Sequence, residues 1–392
     1  MTTKRTLAII AGIFGLAIAV VAVTFLTEPE AERTGAVRES AMLVQTTAAE
    51  MGTWQPRLRA SGTVEPARDI MLRPRVSGSV QSVADAFTPG GRADEGEVLV
   101  RLDPADYENA LAQRRSELQQ ARTNLELELG RQTVAREDLR LLSDSVRARN
   151  RSLVLREPQV NAARAQVASA EAAVDQARLA LARTRVVAPF DAQILSRTAN
   201  VGSQVGPGDG LARLVGVDRY WVVATVPQDR IPYLRFADDD PEQPSPAVIR
   251  NRTAWPASAT REGTLRRLIG ELEAPTRLAR IVIEVDDPLA MDTATPNRPP
   301  LLLSSFVEVE LLGRPVENAV RLTRDLVRND DTVWVMEEGE LRIRDVEIAL
   351  RDAEYAYVTA GLADGDRIVT TDLATVVEGA PLRLASDGEG TS

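Results

Sequence analysis

"RTRVVAPFDAQIL", residues 183–195, closes a long alanine-rich helical pattern and opens a segment that cannot be helix. Pro189 removes a backbone donor, and its ring clashes with a continuing helix. The reading predicts that the returning helix ends over 184–187 and that 190–195 goes on as a strand.

Upstream of this joint, from Pro104 on, glycine is nearly absent and Ala, Leu, Arg, Glu and Gln dominate. These are strong helix formers. Asp103 before Pro104 is a start signal, a carboxylate at the N-cap and proline at the first helical position. Leu111, Leu118, Leu125, polar Gln132, Leu139 and Val146 then repeat every seven residues, with Tyr107, Ala121, Ala135 and Leu142 between them. Such a seam specifies a coiled coil. A second seam follows, with Val160, Val167, Val174 and Leu181 at one position and Ala163, Ala170 and Ala177 three residues later. In "VRARNRSLVLREP", Asn150 and Ser152 suit a turn, and Pro158 disfavours helix at the residue before it. The expectation is a helical hairpin: helix one over 104–146, a tip at 147–152, and helix two over 153–185, kinked or delayed at Pro158. At roughly 1.5 Å per residue its arms reach on the order of 50–65 Å. Two helices from separate chains in a parallel dimer are the alternative.

The segments flanking the hairpin repeat one another. "RPRVSGSVQSVADAFTPGGRADEGEVLVRLDP" (73–104) and "RVVAPFDAQILSRTANVGSQVGPGDGLARLVG" (185–216) both run strand, turn, strand, glycine-bearing loop, short strand. "GSVQSV" aligns with "AQILSR" and "GEVLVRLD" with "DGLARLV", an internal duplication interrupted by the helical insert.

Residues 7–26, "LAIIAGIFGLAIAVVAVTFL", carry no charge. A helix needs roughly 20 such residues to cross a hydrocarbon core. Lys4 and Arg5 precede the run and Glu28, Glu30 and Glu32 follow it, which predicts a cytoplasmic amino terminus and an exported remainder. "TFLTEPEAER" offers no good cleavage site, so an uncleaved anchor is expected rather than a signal peptide, with Leu7, Ile10, Phe14, Leu16, Val20, Phe25 and Leu26 in the bilayer.

Composition narrows the chemistry. The 392 residues include no cysteine and no histidine, Lys4 is the sole lysine, and the net charge is −10. Thiol nucleophiles, Cys/His metal sites, Ser-His-Asp triads and histidine bases are excluded. The acidic balance argues against nucleic acid, because neutralising phosphates needs a basic surface. The acidic run "ADDDPEQP" (237–244) lacks calcium-loop spacing and reads as a solvated loop. No catalytic, cofactor or metal site is expected, and the chain reads as a non-enzyme.

These residues carry a resemblance. "RVVAPFDAQIL" with "VGSQVGPGDGLARL" resembles the second half of the split lipoyl domain in HlyD-like membrane fusion proteins, the periplasmic adaptors of tripartite efflux systems. "SGSVQSV…GEVLVRLDPADYENAL" is similar to the first half, and "LREPQVNAARAQVASAEAAVDQARLALARTRV" to the returning hairpin arm. "YWVVATVPQDRIPYL", "GTLRRLIGELEAPTRLARIVIEV" and "FVEVELLGRPVENAVRLTRDLV" resemble the β-barrel, and "VTAGLADGDRIVTT" the membrane-proximal domain.

The resemblance implies a mainly β, multi-domain, elongated fold with an inserted coiled-coil hairpin. Its parts are a cytoplasmic tip, anchor and tether over 1–40 and strands shared between the membrane-proximal and barrel domains over 41–60. A first lipoyl half (61–103), hairpin (104–185), second half (186–216), barrel (217–312), membrane-proximal domain (313–384) and disordered tail (385–392) follow. Neither half contains a lysine, so lipoate or biotin attachment is impossible and the fold serves as a scaffold. Implied partners are an inner-membrane transporter of the resistance-nodulation-division (RND) class, an outer-membrane channel, and further copies in a ring, a hexamer by resemblance. Arg140, Leu141, Arg147, Arg149, Asn150, Arg151 and Ser152 are the implied channel contacts at the tip. Adaptors of ATP-driven exporters share the architecture, and a membrane-anchored structural coiled-coil protein is the alternative of another class. One departure stands out: the glycine usual before "FVEVEL" is replaced by Ser304 and Ser305.

Overall fold

The computed structural model describes residues 3–26, 41–141, 151–292, 298–373 and 376–385. The chain divides into two compact units, one of residues 53–317 with 352–354, the other of 1–52, 318–351 and 355–392.

In the larger unit, the duplicated segments form a sandwich of two four-stranded sheets. The first half supplies β5 (Asp69–Leu72), β6 (Gly78–Val83), β7 (Arg92–Ala93) and β8 (Val98–Leu102), and the second β9 (Arg185–Val187), β10 (Ala192–Arg197), β11 (Gln204–Val205) and β12 (Ala212–Gly216). The sheets run β5-β12-β10-β7 and β11-β6-β8-β9. Exchanging β5 with β9, β6 with β10, β7 with β11 and β8 with β12 converts one sheet into the other. The repeat is therefore a pseudo-twofold sandwich in which each sheet takes strands from both halves. Phe87, Leu99 and Leu102 of the first half and Ile194, Leu211 and Leu214 of the second share one core and are at most 1% exposed. Neither half could bury its apolar face alone, which is why the halves interleave.

The same unit holds a closed six-stranded barrel. Its strands β4 (Arg57–Pro66), β13 (Arg219–Val226), β14 (Pro246–Arg250), β15 (Arg261–Leu272), β16 (Ala279–Asp286) and β17 (Phe306–Leu312) run β13-β16-β15-β14-β17-β4. Period-two alternation fills the interior, as in β13, where Tyr220, Val222, Ala224 and Val226 are buried. At Gly62, a Cβ would lie 2.5 Å from the Val223 carbonyl oxygen and 2.8 Å from the Ala224 Cα. Strand β4 corrects a boundary: its ladders with β13 and β17 carry it to Pro66, so the barrel takes residues assigned to the first lipoyl half, whose strands begin at Asp69. Ser304 takes a left-handed backbone (φ 60°) and donates its N–H to the Val64 carbonyl at 2.8 Å. The missing glycine thus leaves an L-residue where glycine is the relaxed choice.

Arg261 is 2% exposed and donates to the backbone carbonyls of Pro299, Asp286 and Asp287. Burial lowers its pKa from the ordinary arginine value, opposed by the Asp287 carboxylate and reinforced by Arg298.

The smaller unit combines β1 (Met42–Val44), β2 (Thr46–Ala48) and part of β3 (Met51–Trp54) with carboxyl-terminal strands from β18 (Val316–Thr323) to β25 (Leu382–Leu384). Val320, Val333, Val335, Val358 and Ile368 form its core, and the Arg328 guanidinium stacks on Trp334 at 4.0 Å. Helix α1 (Thr3–Leu26) covers the apolar run. Its side chains at 9–24 and 26 are exposed. Among the described residues no helix is long and apolar enough to cross a membrane.

Candidate functional site: the helical hairpin

Two antiparallel helices, α2 (Ala105–Leu141) and α4 (Glu157–Ala182), with a short α3 (Arg151–Val154) before the second, rise from the sandwich between β8 and β9. The base is built as its residues dictate. Asp103 accepts the Ala105 N–H at 3.0 Å, the N-cap bond expected with Pro104 at the first helical position. Tyr107 donates its hydroxyl to the Ser77 carbonyl at 2.6 Å, fastening α2 to the first half.

The exit differs from expectation. Helix α4 stops at Ala182, and Arg185–Val187 already pairs with β8 as β9, so the joint lies at 183–184 rather than over 184–187. Thr184, 3% exposed, turns its hydroxyl back to the Leu181 carbonyl, and its own carbonyl accepts from the Leu102 N–H. The β-branched pair Val186-Val187 then favours the ladder over another helical turn. Pro189 lies in the connection from β9 to β10.

Along the arms the described seam residues pack as read, while Leu142 and Val146 lie outside the described residues. Leu111, Ala121, Leu139, Val160, Ala170 and Val174 are buried, with Leu118, Leu125, Val167 and Leu181 half-buried. The second arm departs from the expected 153–185. After α3 the chain breaks at Leu155-Arg156, Arg156 takes a left-handed backbone (φ 53°), and α4 starts afresh at Glu157 with Pro158 in its first turn, where a missing N–H costs nothing.

Two neighbouring polar seam positions of α2 face this break. Gln132, 5% exposed, donates its side-chain amide to the Leu155 carbonyl at 2.7 Å and accepts from Arg136 at 2.7 Å. Glu128 accepts from Arg156 Nη2 at 2.7 Å and Nε at 3.0 Å, with Arg131 on its other oxygen. The Arg156 hydrogen bonds hold the Glu128 carboxyl below its usual pKa against a smaller opposing effect of desolvation, aided by Arg131. A broken helix exposes carbonyls that need donors, and the facing arm supplies them. Gln132 is thus a cap for the opposite helix, and its partner Glu128 was missed in the sequence. The available signal was two consecutive polar seam positions opposite "LREP".

Of the implied channel contacts, Arg140 is exposed and donates to both oxygens of Glu137, while Leu141 is the last residue of α2. Arg151 and Ser152 are exposed on α3, inside a helical turn rather than in the tip loop. Arg147, Arg149 and Asn150 lie outside the described residues. Exposed apolar side chains also occur on the arms, Leu153 at 58% and, on α2, Leu127 at 56% and Val134 at 62%, none of them singled out in the sequence. Among the described residues no group of acidic side chains could hold a metal ion.

Comparison with known proteins agrees with this architecture. A family described as RND MFPs, C-terminal permuted SH3 domain, matches residues 322–375, which fall in the smaller unit apart from 352–354. Multidrug resistance protein MdtA of Klebsiella pneumoniae is 27% identical over 343 residues, spanning 85% of this chain and 78% of the relative. The protein of that name from Escherichia coli K12 is 26% identical over 344 residues, spanning 86% and 78%. Among solved structures, MacA from Actinobacillus actinomycetemcomitans superposes with a TM-score of 0.57 at 14% identity, covering 83% of this chain and 99% of that one. A MacA-MexA chimera bearing the Pseudomonas aeruginosa MexA α-hairpin domain gives 0.54 at 17% identity, covering 82% and 99%. These two share the fold. A carboxyl-terminal segment matching that module of the RND membrane fusion proteins, and 26–27% identity to relatives along most of its length, make the chain similar to the RND membrane fusion proteins.

Proposed function

We propose that the chain is a non-catalytic adaptor that joins an inner-membrane RND transporter to an outer-membrane channel for export of drugs or other small molecules. The observation that carries this reading is the paired-helix insert on an interleaved sandwich, a rigid arm with polar faces outside and a capped break within. Similarity to the multidrug resistance proteins supports the cargo class.

In this proposal α1 anchors the chain in the inner membrane with its basic flank in the cytoplasm, and the bulk works in the periplasm. The end of the hairpin docks on channel helices by side-chain interdigitation, with Arg140, Leu141, Arg147, Arg149, Asn150, Arg151 and Ser152 as the contact set. Leu153 belongs with them, as an exposed apolar side chain on the same short helix. Several copies close a ring around the conduit, and no bond is made or broken by the adaptor itself.

Replacing residues 147–152 with a Gly-Ser linker tests the reading. The variant is expected to stay folded and membrane-bound while drug susceptibility rises to that of a deletion strain. Undiminished resistance would contradict it.

A further inference from the structure

The sandwich has an open end between β5 and β9, the two strands that the pseudo-twofold exchanges. Each is an edge strand, β5 paired only with β12 and β9 only with β8. Between them lies a cleft of about 850 Å³ at the foot of the hairpin. Four arginines line it, Arg73, Arg75, Arg183 and Arg185, and no carboxylate does, in a chain whose net charge is −10. Among the described residues none of the four has an ion-pair partner, and Arg183 Nε is buried without a hydrogen-bond partner. The rest of the lining is mainly apolar, with Met71 at 45% and Val187 at 41% exposure.

Uncompensated guanidiniums gathered in a concave site cost free energy through mutual repulsion, and a buried donor without an acceptor costs more. Both penalties are relieved by an anion, and guanidinium forks match carboxylate, phosphate or sulfate oxygens with two parallel bonds. The apolar wall asks for more than the anion alone.

We propose that this cleft binds a soluble amphipathic organic anion, its charged head between the arginines and its apolar part against Met71 and Val187. Because Arg183 caps the end of α4 and Arg185 opens β9, an occupant bridges the base of the hairpin and the edge of the sandwich. Occupancy stiffens that joint.

The test is calorimetric titration of the full chain in nanodiscs of zwitterionic lipid with hexyl phosphate, with inorganic phosphate and hexanol as the two half-ligands. Saturable binding of hexyl phosphate is expected, at least tenfold tighter than either half-ligand and weakened by salt. The pair Arg73→Gln with Arg185→Gln should weaken it at least tenfold, Arg73→Lys with Arg185→Lys less, and Arg101→Gln on the outer face of β8 not at all. Both arginines of the test pair are exposed, so an unchanged melting transition checks that the variants fold. Absence of saturation, equal binding by inorganic phosphate, or binding untouched by the glutamine pair would overturn the proposal. So would loss of self-association in the glutamine pair without hexyl phosphate binding, since the cleft would then be a contact between copies.

Discussion

Substituting leucine for Gln132 sets two physical rules against each other. By the heptad rule alone, Gln132→Leu repairs a polar flaw in the seam, and added apolar burial favours it by about 1–2 kcal/mol. The structure predicts the opposite sign. Gln132 supplies the donor for the Leu155 carbonyl at a helix break, in a buried bond of 2.7 Å. Leucine leaves that carbonyl unsatisfied at a cost of about 1–3 kcal/mol, and the acceptor for Arg136 disappears as well, worth about 1 kcal/mol at a partly exposed site. The net is a destabilisation of the distal hairpin of about 1–2 kcal/mol, roughly a tenfold change in a local opening equilibrium. Hydrogen exchange on the full chain reads this directly as reduced amide protection over 128–136 and 155–165, with the sandwich and barrel unchanged. Equal or greater protection in Gln132→Leu would refute the capping account and return Gln132 to an ordinary seam imperfection.

Glu128 gives the matching pH prediction. Its pKa is held down in the folded hairpin by Arg156 first, so its contribution is present above the ordinary carboxylate value and is lost as pH falls through the lowered one. Acid titration of exchange protection near the break should show this loss in the parent and not in Glu128→Gln. In the barrel, Ser304→Gly should raise stability by about 0.5–1 kcal/mol in denaturant unfolding by relieving the left-handed backbone, and a loss would contradict that assignment. Gly62→Ala should cost about 2–3 kcal/mol, because its Cβ would meet backbone atoms of β13 that cannot step aside without opening the barrel. Arg261→Met should cost about 2–4 kcal/mol, since three carbonyls lose their donor, and a neutral effect in thermal unfolding would show that water replaces the guanidinium.

What was legible in the sequence was periodic. Seam residues recur at helical spacing because one face is buried, and the duplicated strands announce themselves because each copy repeats the same inward positions. Both report local geometry, so the hairpin and the duplication could be read without coordinates, whereas the interleaving of the two halves is visible only in the strand pairing. Partner choice is not local. Nothing in "RLRASGTVEP" distinguishes a barrel strand from the start of the sandwich, and only its ladders to β13 and β17 decide it. The joint at 183–184 was misplaced because the proline was a louder signal than "RVV", a three-residue strand stabilised by β8 across the whole helical insert. The break at Arg156 was half visible: Pro158 marked the interruption, but a left-handed arginine is tolerated only because Glu128 and Gln132 wait on the other arm.

The central claim, an arm that joins a pump to a channel, is tested most directly by in-cell cross-linking from Ser152 and Leu153, followed by purification of the tagged chain from the native envelope and identification of what is attached. The account predicts an outer-membrane channel protein cross-linked at these positions, with a multi-spanning RND transporter in the same complex. Recovery of the intact chain with neither partner, from cells whose drug resistance depends on it, would contradict it.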